Sequence, residues 1–199
     1  MYKTLGQFAL IWVWLLCAAI TSSVRADEVA DCEIVPTVQL YDVSGLSAEE
    51  IRASMLSTGP VDAAGKRRFA HAEWSVKWHW NTNDDGSVNL DTVAVKCEGT
   101  ITLPHLRDTQ SLPESLRIEW PLFVERLLAH ESRHLSNVAI HAPRIVSRLR
   151  AAKSPVFPNR ANNIAQRVVA DIQAMDREYD RTTSNGRSEG CWDISAMPS

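Results

Sequence analysis

Residues 130–134 read His-Glu-Ser-Arg-His and contain the side chains most able to do chemistry in this sequence. On a helix, residues four apart lie one turn apart, with Cβ atoms about 5–6 Å from each other. Two imidazoles with this spacing can reach one zinc ion at about 2.0–2.1 Å. Glu131 would then face the open position of the ion and take a proton from its bound water. The pattern therefore predicts a zinc hydrolase with His130 and His134 as metal ligands and Glu131 as catalytic base.

A catalytic zinc site needs a third protein ligand, and the last predicted helix offers several carboxylates. The candidates are Asp171, Asp176, Glu178 and Asp180. Asp180 is the first choice, and its neighbour Tyr179 could donate a hydrogen bond to the oxyanion of the substrate. His141 is a weaker candidate, because the eleven residues from His130 correspond to about 16 Å of helical rise.

A long helix has to carry the two histidines. Residues 119–141 have one continuous helical pattern, which Pro143 should end or kink. A further helix is predicted for residues 144–152 and a last helix for residues 162–180. The last helix has an apolar stripe at helical spacing, formed by Ile164, Val168, Ile172, Met175 and Tyr179. The tail from Thr183 onward is polar and contains glycine, which predicts a loop.

The half of the chain that precedes these helices has the pattern of strands. Residues 34–43 predict a first strand. Ser47 and Glu50 then have the spacing of a capping box, which opens a short helix that ends at Gly59.

A β-hairpin is predicted next. Residues 69–80 alternate between apolar and polar side chains, and His71 and His79 fall on the polar side, where we expect surface residues. A second strand begins at Val88, and its apolar set changes from even to odd positions near Asp91, which suggests a bulge. The sequence therefore predicts an α+β fold, with a small antiparallel β-sheet followed by a helical half that carries the metal motif.

Residues 1–26 have the features of a secretory signal peptide. Lys3 precedes an apolar stretch over residues 8–20, and residues 24–26 (Val-Arg-Ala) place small side chains before the cleavage point. The apolar stretch is shorter than the roughly 20 residues of a membrane-spanning helix, so cleavage is favoured over an uncleaved anchor. We expect a single domain over residues 27–199, no stable membrane anchor after cleavage, and a periplasmic or secreted location.

Cysteine usage fits an exported chain. Cys17 would leave with the signal peptide, so Cys32, Cys97 and Cys191 remain. Three cysteines allow one disulfide and one free thiol in an oxidising compartment. The pairing of Cys32 with Cys97 is favoured because both lie in the strand-rich half, and the pairing of Cys97 with Cys191 is the alternative.

The charge balance argues against one class of partner. Acidic residues outnumber basic residues by 24 to 21, and the basic residues form no obvious patch. A nucleic acid partner is therefore not expected. A peptide or protein substrate fits a zinc hydrolase better.

Several motifs, taken in order, resemble a known bacterial family. They are residues 41–45 (Tyr-Asp-Val-Ser-Gly), Gly59-Pro60, residues 72–78 (Ala-Glu-Trp-Ser-Val-Lys-Trp), Trp120, the metal motif and residues 179–183 (Tyr-Asp-Arg-Thr-Thr). This order is similar to that of the predicted secreted zinc-dependent proteases catalogued as domain of unknown function 922. The resemblance implies a zincin-like fold and proteolysis.

The chain departs from this family at one position of the closing motif. The family pattern reads Tyr-Asp-x-x-Thr-x-His-Gly, and this chain has Asn185 in place of the histidine. If that histidine is the third ligand of the family, this chain lacks it, whereas a site that uses Asp180 is complete. Two alternatives to the protease stay open: a non-catalytic binding module of the same fold and a zinc amidase that acts on cell-wall peptide.

Overall fold

The computed structural model describes residues 32–191, which form three strands and four α-helices. Their order is β1 (Thr37–Val43), α1 (Ala48–Thr58), β2 (His71–His79), β3 (Ala94–Leu106), α2 (Glu114–His141), α3 (Arg144–Arg150) and α4 (Pro158–Thr182). Short 3-10 turns cover Leu90–Thr92 and Arg187–Glu189. The predicted signal peptide, residues 1–26, lies outside the described residues. Within the described residues, no helix is both long and apolar enough to cross a membrane.

The three strands form one mixed sheet with β3 in the centre. β2 pairs antiparallel with β3, with Ala72 opposite Ile101, which confirms the hairpin. β1 pairs parallel with β3, with Val38 opposite Ile101, so the prediction of an antiparallel sheet is wrong for this pair. Alternation in a sequence does not reveal the direction of the neighbouring strand. The chain between β1 and β3 is long enough for the crossover that a parallel pair requires.

The second strand of the hairpin starts later than predicted. Val88 makes an isolated bridge with Thr82, and the 3-10 turn at Leu90–Thr92 precedes β3. The Asn89 side chain caps this turn by accepting a hydrogen bond from the Asp91 N–H at 3.1 Å. The change of apolar positions near Asp91 therefore marks a helical turn and not a bulge.

The N-terminus of α1 has one of the two predicted capping interactions, and the other is shifted by one residue. Ser47 Oγ accepts a hydrogen bond from the Glu50 N–H at 3.2 Å. Glu50 Oε2 in turn accepts from the Leu46 N–H at 2.7 Å, one residue before the expected position. Gly59 follows the last residue of the helix, as predicted.

α2 packs closely on β3 at a point where the strand has no side chain. A Cβ atom on Gly99 would lie 2.8 Å from Leu135 Cδ2, so a larger residue there would force the Leu135 side chain to move. Phe123 of α2 is fully buried, and its ring makes an edge contact with Phe69 at a centroid distance of 6.2 Å. These contacts fix which face of α2 points inward.

α4 packs against α2 and α3 through an apolar cluster that includes Val138, Ile145 and Ile172, all fully buried. The buried positions of α4 are Ala161, Ala165, Val168 and Ile172. Of the predicted stripe, Val168 and Ile172 are buried, whereas Ile164, Met175 and Tyr179 are only partly buried. The end of α4 is thereby held beside the histidines of α2.

Cys32 and Cys97 form a disulfide, and Cys191 is a free, buried thiol. This confirms the favoured pairing over that of Cys97 with Cys191. The disulfide ties the segment that precedes β1 to the central strand of the sheet.

Candidate metal centre

The inward face of α2 carries the three polar residues of the metal motif. His130, Glu131 and His134 are all buried, at 6%, 7% and 8% relative exposure. The two imidazole rings meet edge to face, with centroids 5.2 Å apart. Burial of such polar groups is costly unless they have partners, so their partners indicate their role.

Asp180, near the end of α4, approaches both histidines with the same oxygen. Its Oδ1 lies 3.3 Å from His130 Nε2 and 3.2 Å from His134 Nε2. Two ligand atoms that each lie about 2.0–2.1 Å from a tetrahedral zinc ion are about 3.3–3.4 Å apart. The spacing of the Asp180 oxygen from each nitrogen therefore fits two ligands of one tetrahedral ion. His130, His134 and Asp180 lie close enough to hold a metal ion.

The other nitrogen of each histidine meets a second carboxylate. His130 Nδ1 lies 2.7 Å from Glu189 Oε2, and His134 Nδ1 lies 3.3 Å from Asp176 Oδ1. A histidine that binds a metal through Nε2 usually donates its Nδ1–H to such a group, which fixes the tautomer and the ring orientation. This pattern supports Nε2 of both rings as the metal-binding atom.

Asp176 is itself held in place from two elements. Trp74 Nε1 of β2 donates to Asp176 Oδ2 at 2.9 Å, and Asn137 Nδ2 of α2 donates to Oδ1 at 2.9 Å. These two donors fix the carboxylate that contacts His134. The orientation of His134 therefore depends on β2, α2 and α4 together.

The tail after α4 folds back onto His130. Gly186 has a φ of +79°, and a Cβ atom there would lie 3.3 Å from His130 Nδ1 and 2.9 Å from Cys191 Cβ. This close approach brings Glu189 to His130. Tyr179 donates its hydroxyl hydrogen to Glu189 Oε1 at 2.9 Å, and its ring stacks on His130 at a centroid distance of 4.9 Å.

The electrostatics of these residues favour a positive charge between them. Burial of His134 opposes its charged form, but hydrogen bonds to Asp176 and Asp180 outweigh that effect and raise its pKa to about 10. The pKa of His130 is raised in the same way, against burial, by Asp180 and Glu189. Burial also opposes the charged form of Asp180, yet its hydrogen bonds to both histidines hold its pKa well below the usual range. A site that favours positive charge this strongly suits a cation.

Glu131 has a different environment from the three candidate ligands. Burial raises the pKa of its carboxyl, although the charges of His134 and His130 and a hydrogen bond from the Ala72 N–H act in the opposite direction. Glu131 lines the same cleft as the histidines but is not part of the ligand cluster. A carboxylate with a raised pKa beside a metal site is suited to take up and release a proton.

The metal residues open into a cleft of about 370 Å³. One wall comes from the start of β2, which is an edge strand of the sheet, and from the segment that leads into it. A second wall is one face of α4, with Gln173, Asp176, Arg177 and Asp180. α2 contributes Leu127, His130, Glu131 and His134 to the lining. The tail contributes Asn185 and Cys191.

Residues 38–187 match the family described as a bacterial protein of unknown function, DUF922. The chain belongs to this family. No curated protein and no solved structure matches the chain.

The structure of this DUF922 chain separates the residues that the sequence offered as third ligands. It brings Asp180 to both histidines and places Asp176 behind His134. Asp171 and Glu178 instead pair with surface arginines, away from the cleft. His141 is the last residue of α2 and does not line the cleft.

Two residues of the site differ from what the sequence indicated. His71 was expected at the surface, but it is half-buried and lines the cleft, close enough to Glu131 to lower the pKa of that carboxyl. Glu189 was not identified, because the polar tail has no periodicity that would place it. The spacing of Asp176 four residues before Asp180 was a usable signal, since both must share one helix face.

Tyr179 lies on the outer side of His130, where its hydroxyl contacts Glu189 and not the cleft that contains Glu131. In this position, Tyr179 can hold His130 in place. Its hydroxyl does not point to a contact with a substrate oxyanion, which the sequence had predicted. Asn185, with a φ of +55°, accepts a hydrogen bond from Arg68 Nη1 at 2.9 Å. The cluster of His130, His134 and Asp180 does not need a ligand from the Asn185 position.

A second cluster, formed by His130, Glu189 and Cys191, also places possible ligand atoms together. However, the 2.7 Å between His130 Nδ1 and Glu189 Oε2 is a hydrogen-bond distance and is shorter than the separation of two tetrahedral ligands. Cys191 donates to the Arg126 carbonyl at 3.4 Å, and burial raises the pKa of its thiol to about 12. We therefore assign this cluster to the support of His130.

Proposed function

We propose that this protein is an exported zinc-dependent metallopeptidase. His130, His134 and Asp180 hold the ion, and Glu131 is the general base. The observation that carries the proposal is the approach of both Nε2 atoms to one Asp180 oxygen, at 3.3 and 3.2 Å, beside a buried glutamate.

Zinc is the metal that best suits this donor set. Two imidazoles and one carboxylate leave a fourth position open, which is the arrangement of catalytic rather than structural zinc sites. Zinc bound there would lower the pKa of a water ligand towards neutrality and polarise a substrate carbonyl. Asp176 and Glu189 hold the imidazoles in the tautomer that such binding requires.

Glu131 provides the proton transfer in this proposal. Its carboxylate accepts the proton of the attacking water and returns it to the amine that leaves when the peptide bond breaks. The Ala72 N–H holds the carboxylate at the wall of the cleft, and burial raises its pKa towards the working range of a base. A purely structural metal site would have no use for a carboxylate in this position.

An extended peptide is the substrate that the cleft suits. β2 is an edge strand, and its first residues, His71 and Ala72, line the cleft beside Glu131. Edge strands commonly bind extended peptides by adding them to the sheet through main-chain hydrogen bonds. A peptide bound in this way would pass close to the metal residues, which line the same cleft.

Two features support action outside the cytoplasm. The Cys32–Cys97 disulfide is typical of proteins in oxidising compartments. The predicted signal peptide at residues 1–26 would direct the chain there.

Replacement of Glu131 by Gln tests the proposed mechanism. The variant should fold and bind zinc like the wild type, because the residue serves the water and not the ion. Its kcat should fall by about 10²–10⁴, the usual contribution of a general base. The assay is digestion of a mixed peptide library by zinc-loaded protein, with a chelator-treated sample beside it.

Matched variants complete this experiment. Glu125→Gln changes an exposed carboxylate of the same helix and should leave activity unaltered. His134→Ala should abolish zinc binding, and Asp180→Ala should weaken it more than Asp171→Ala does. Cleavage that persists in Glu131→Gln would refute the mechanism, and a wild type that binds zinc but cuts no peptide would favour a binding module.

A further inference from the structure

The wall of the cleft formed by α4 contains an arginine that the proposed chemistry does not use. Gln173, Asp176, Arg177 and Asp180 line this wall. Their spacing of three, four and seven residues places them on one face of the helix. Asp176 and Asp180 belong to the metal centre, which leaves Gln173 and Arg177 exposed to the cleft.

The carboxylates that line the cleft already have other partners. Asp62 accepts from Arg68 at 2.8 Å, and Asp176 accepts from Trp74 at 2.9 Å. Asp180 faces the two histidines, and Glu131 accepts from a backbone N–H. Among the described residues, the Arg177 guanidinium therefore forms no ion pair, although four acids line the same cleft.

We propose that Arg177 binds a carboxylate of the substrate and so makes the protein selective for acidic peptides. This inference rests on the proposed peptidase function. A guanidinium presents a planar pair of donors that matches a carboxylate, and it does so better than lysine can. Gln173, one turn before Arg177, adds an amide that can hydrogen-bond to the same group or to the adjacent peptide bond.

The position of Arg177 sets how far this carboxylate lies from the bond that is cut. Arg177 precedes Asp180 by three residues, which corresponds to about 4.5 Å along the helix axis. An extended peptide advances about 3.3 Å per residue. For a peptide that runs along α4, the acidic side chain should therefore lie within about two residues of the bond that is cut.

The test compares peptides that differ only in one charge. Blocked hexapeptides carry Glu, Gln or Lys at each position in turn, and kcat/KM is measured with the zinc-loaded wild type. A charge-assisted hydrogen bond should make Glu better than Gln by about 10-fold or more at one position near the cut. Arg177→Gln should reduce this ratio to about one, and Arg177→Glu should invert the preference towards a Lys peptide.

A control variant and a binding assay complete the test. Arg167→Gln removes an exposed arginine of the same helix outside the cleft and should keep the Glu preference. The dissociation constants of the Glu and Gln peptides are also measured with zinc-loaded Glu131→Gln, with and without Arg177→Gln. A Glu preference in binding that disappears with Arg177→Gln supports the inference, whether or not any peptide is cut.

Two results would distinguish a failure of the Arg177 role from a failure of the proposed peptidase function. Cleavage of Glu and Gln peptides with equal efficiency would overturn the role of Arg177 and leave the peptidase intact. Selective binding without any cleavage would overturn the peptidase and leave the role of Arg177 intact. Equal binding of the two peptides, or no binding of either, would also overturn the role of Arg177.

Discussion

Asp176 and Glu189 hold the histidine nitrogens that face away from the proposed ion. Neither would touch the metal, yet both fix the direction of a ring that does. Carboxylates in this position typically contribute a factor of 10–100 to metal affinity. Under the proposed function, the residues that set zinc affinity would therefore extend one layer beyond the ligands.

We expect Asp176→Asn and Glu189→Gln each to raise the zinc dissociation constant by about 10–100-fold. Each amide keeps the size of the side chain but loses the charge that favours the donating tautomer of histidine. Competition titration with a chromophoric chelator measures the constants. Asp171→Asn is the matched control, since Asp171 pairs with Arg148 at the surface. Unchanged affinity in both variants would show that the carboxylates do not support the metal centre.

At the scale of elements, the Cys32–Cys97 disulfide fixes a segment that has little other structure. The segment before β1 is joined by this bond to the middle of β3, across a sequence separation of 65 residues. A disulfide that closes a loop of this length lowers the entropy of the unfolded chain. In the chain-entropy model, this raises the unfolding free energy by about 4 kcal/mol. The bond therefore makes a large contribution for a domain of this size.

We expect the Cys32→Ala/Cys97→Ala double variant to lose about 2–4 kcal/mol of unfolding free energy. Urea denaturation followed by circular dichroism measures the difference. Alkylation of the denatured wild type before and after reduction is the control, and it should find Cys191 free in both cases. Equal stability of the double variant and the wild type would contradict the stabilising role of the bond.

The sequence predicted the elements well where one period extended over many residues. The patterns over residues 119–141 and 162–180 correspond to α2 and α4, but both helices begin earlier, at Glu114 and Pro158. Proline is tolerated in the first turn of a helix, so Pro158 starts α4 rather than preceding it. Pro121 lies within α2 without ending it. Pro143 marked the end of α2 correctly, whereas the starts of α2 and α4 lie four or five residues before the predicted ones.

Part of the metal centre was also accessible from sequence, because four-residue spacing on a helix fixes which side chains meet. That logic applies to His130 and His134, and to Asp176 and Asp180. It does not apply to Glu189, which reaches His130 only because Gly186 turns the tail back. The parallel pairing of β1 was inaccessible for a similar reason, since long-range contacts leave no periodic pattern.

For the molecule as a whole, the metal centre joins parts that are distant in the chain. Its candidate ligands come from α2 and α4. The groups that hold these ligands come from α4 and the tail, and Trp74 of β2 lies behind Asp176. A ligand that binds only the folded state raises the unfolding free energy according to its concentration and affinity. Zinc should therefore stabilise the domain globally and not only at the site.

The size of this effect should depend on pH, and the sign follows from the shifted pKa values. In chelator-treated protein, the pKa of His134 is about 10 and that of His130 is also raised. A histidine whose pKa is higher in the folded protein than in the unfolded chain stabilises the fold below its unfolded-chain pKa of about 6.5. This stabilisation is lost as the pH rises through the pKa of the folded protein. The pKa of Asp180 is lower in the folded protein than in the unfolded chain, so this carboxylate stabilises the fold above its unfolded-chain pKa. This stabilisation is lost as the pH falls below that pKa. The metal-free protein should thus be most stable between about pH 4 and 6.5.

Zinc should behave in the opposite way, because it binds the imidazoles only after their protons have left. We expect the unfolding free energy of the chelated protein to fall between about pH 6.5 and 10, while the increment from zinc grows over the same range. Denaturation of both forms at several pH values measures the two curves. His134→Gln should flatten both trends, since it removes the group with the largest shift and one ligand of the ion. Parallel curves for the zinc-loaded and chelated wild type would mean that protons and zinc do not compete for the same nitrogens. In that case the ion would have to bind elsewhere, and the assignment of His130, His134 and Asp180 would be wrong.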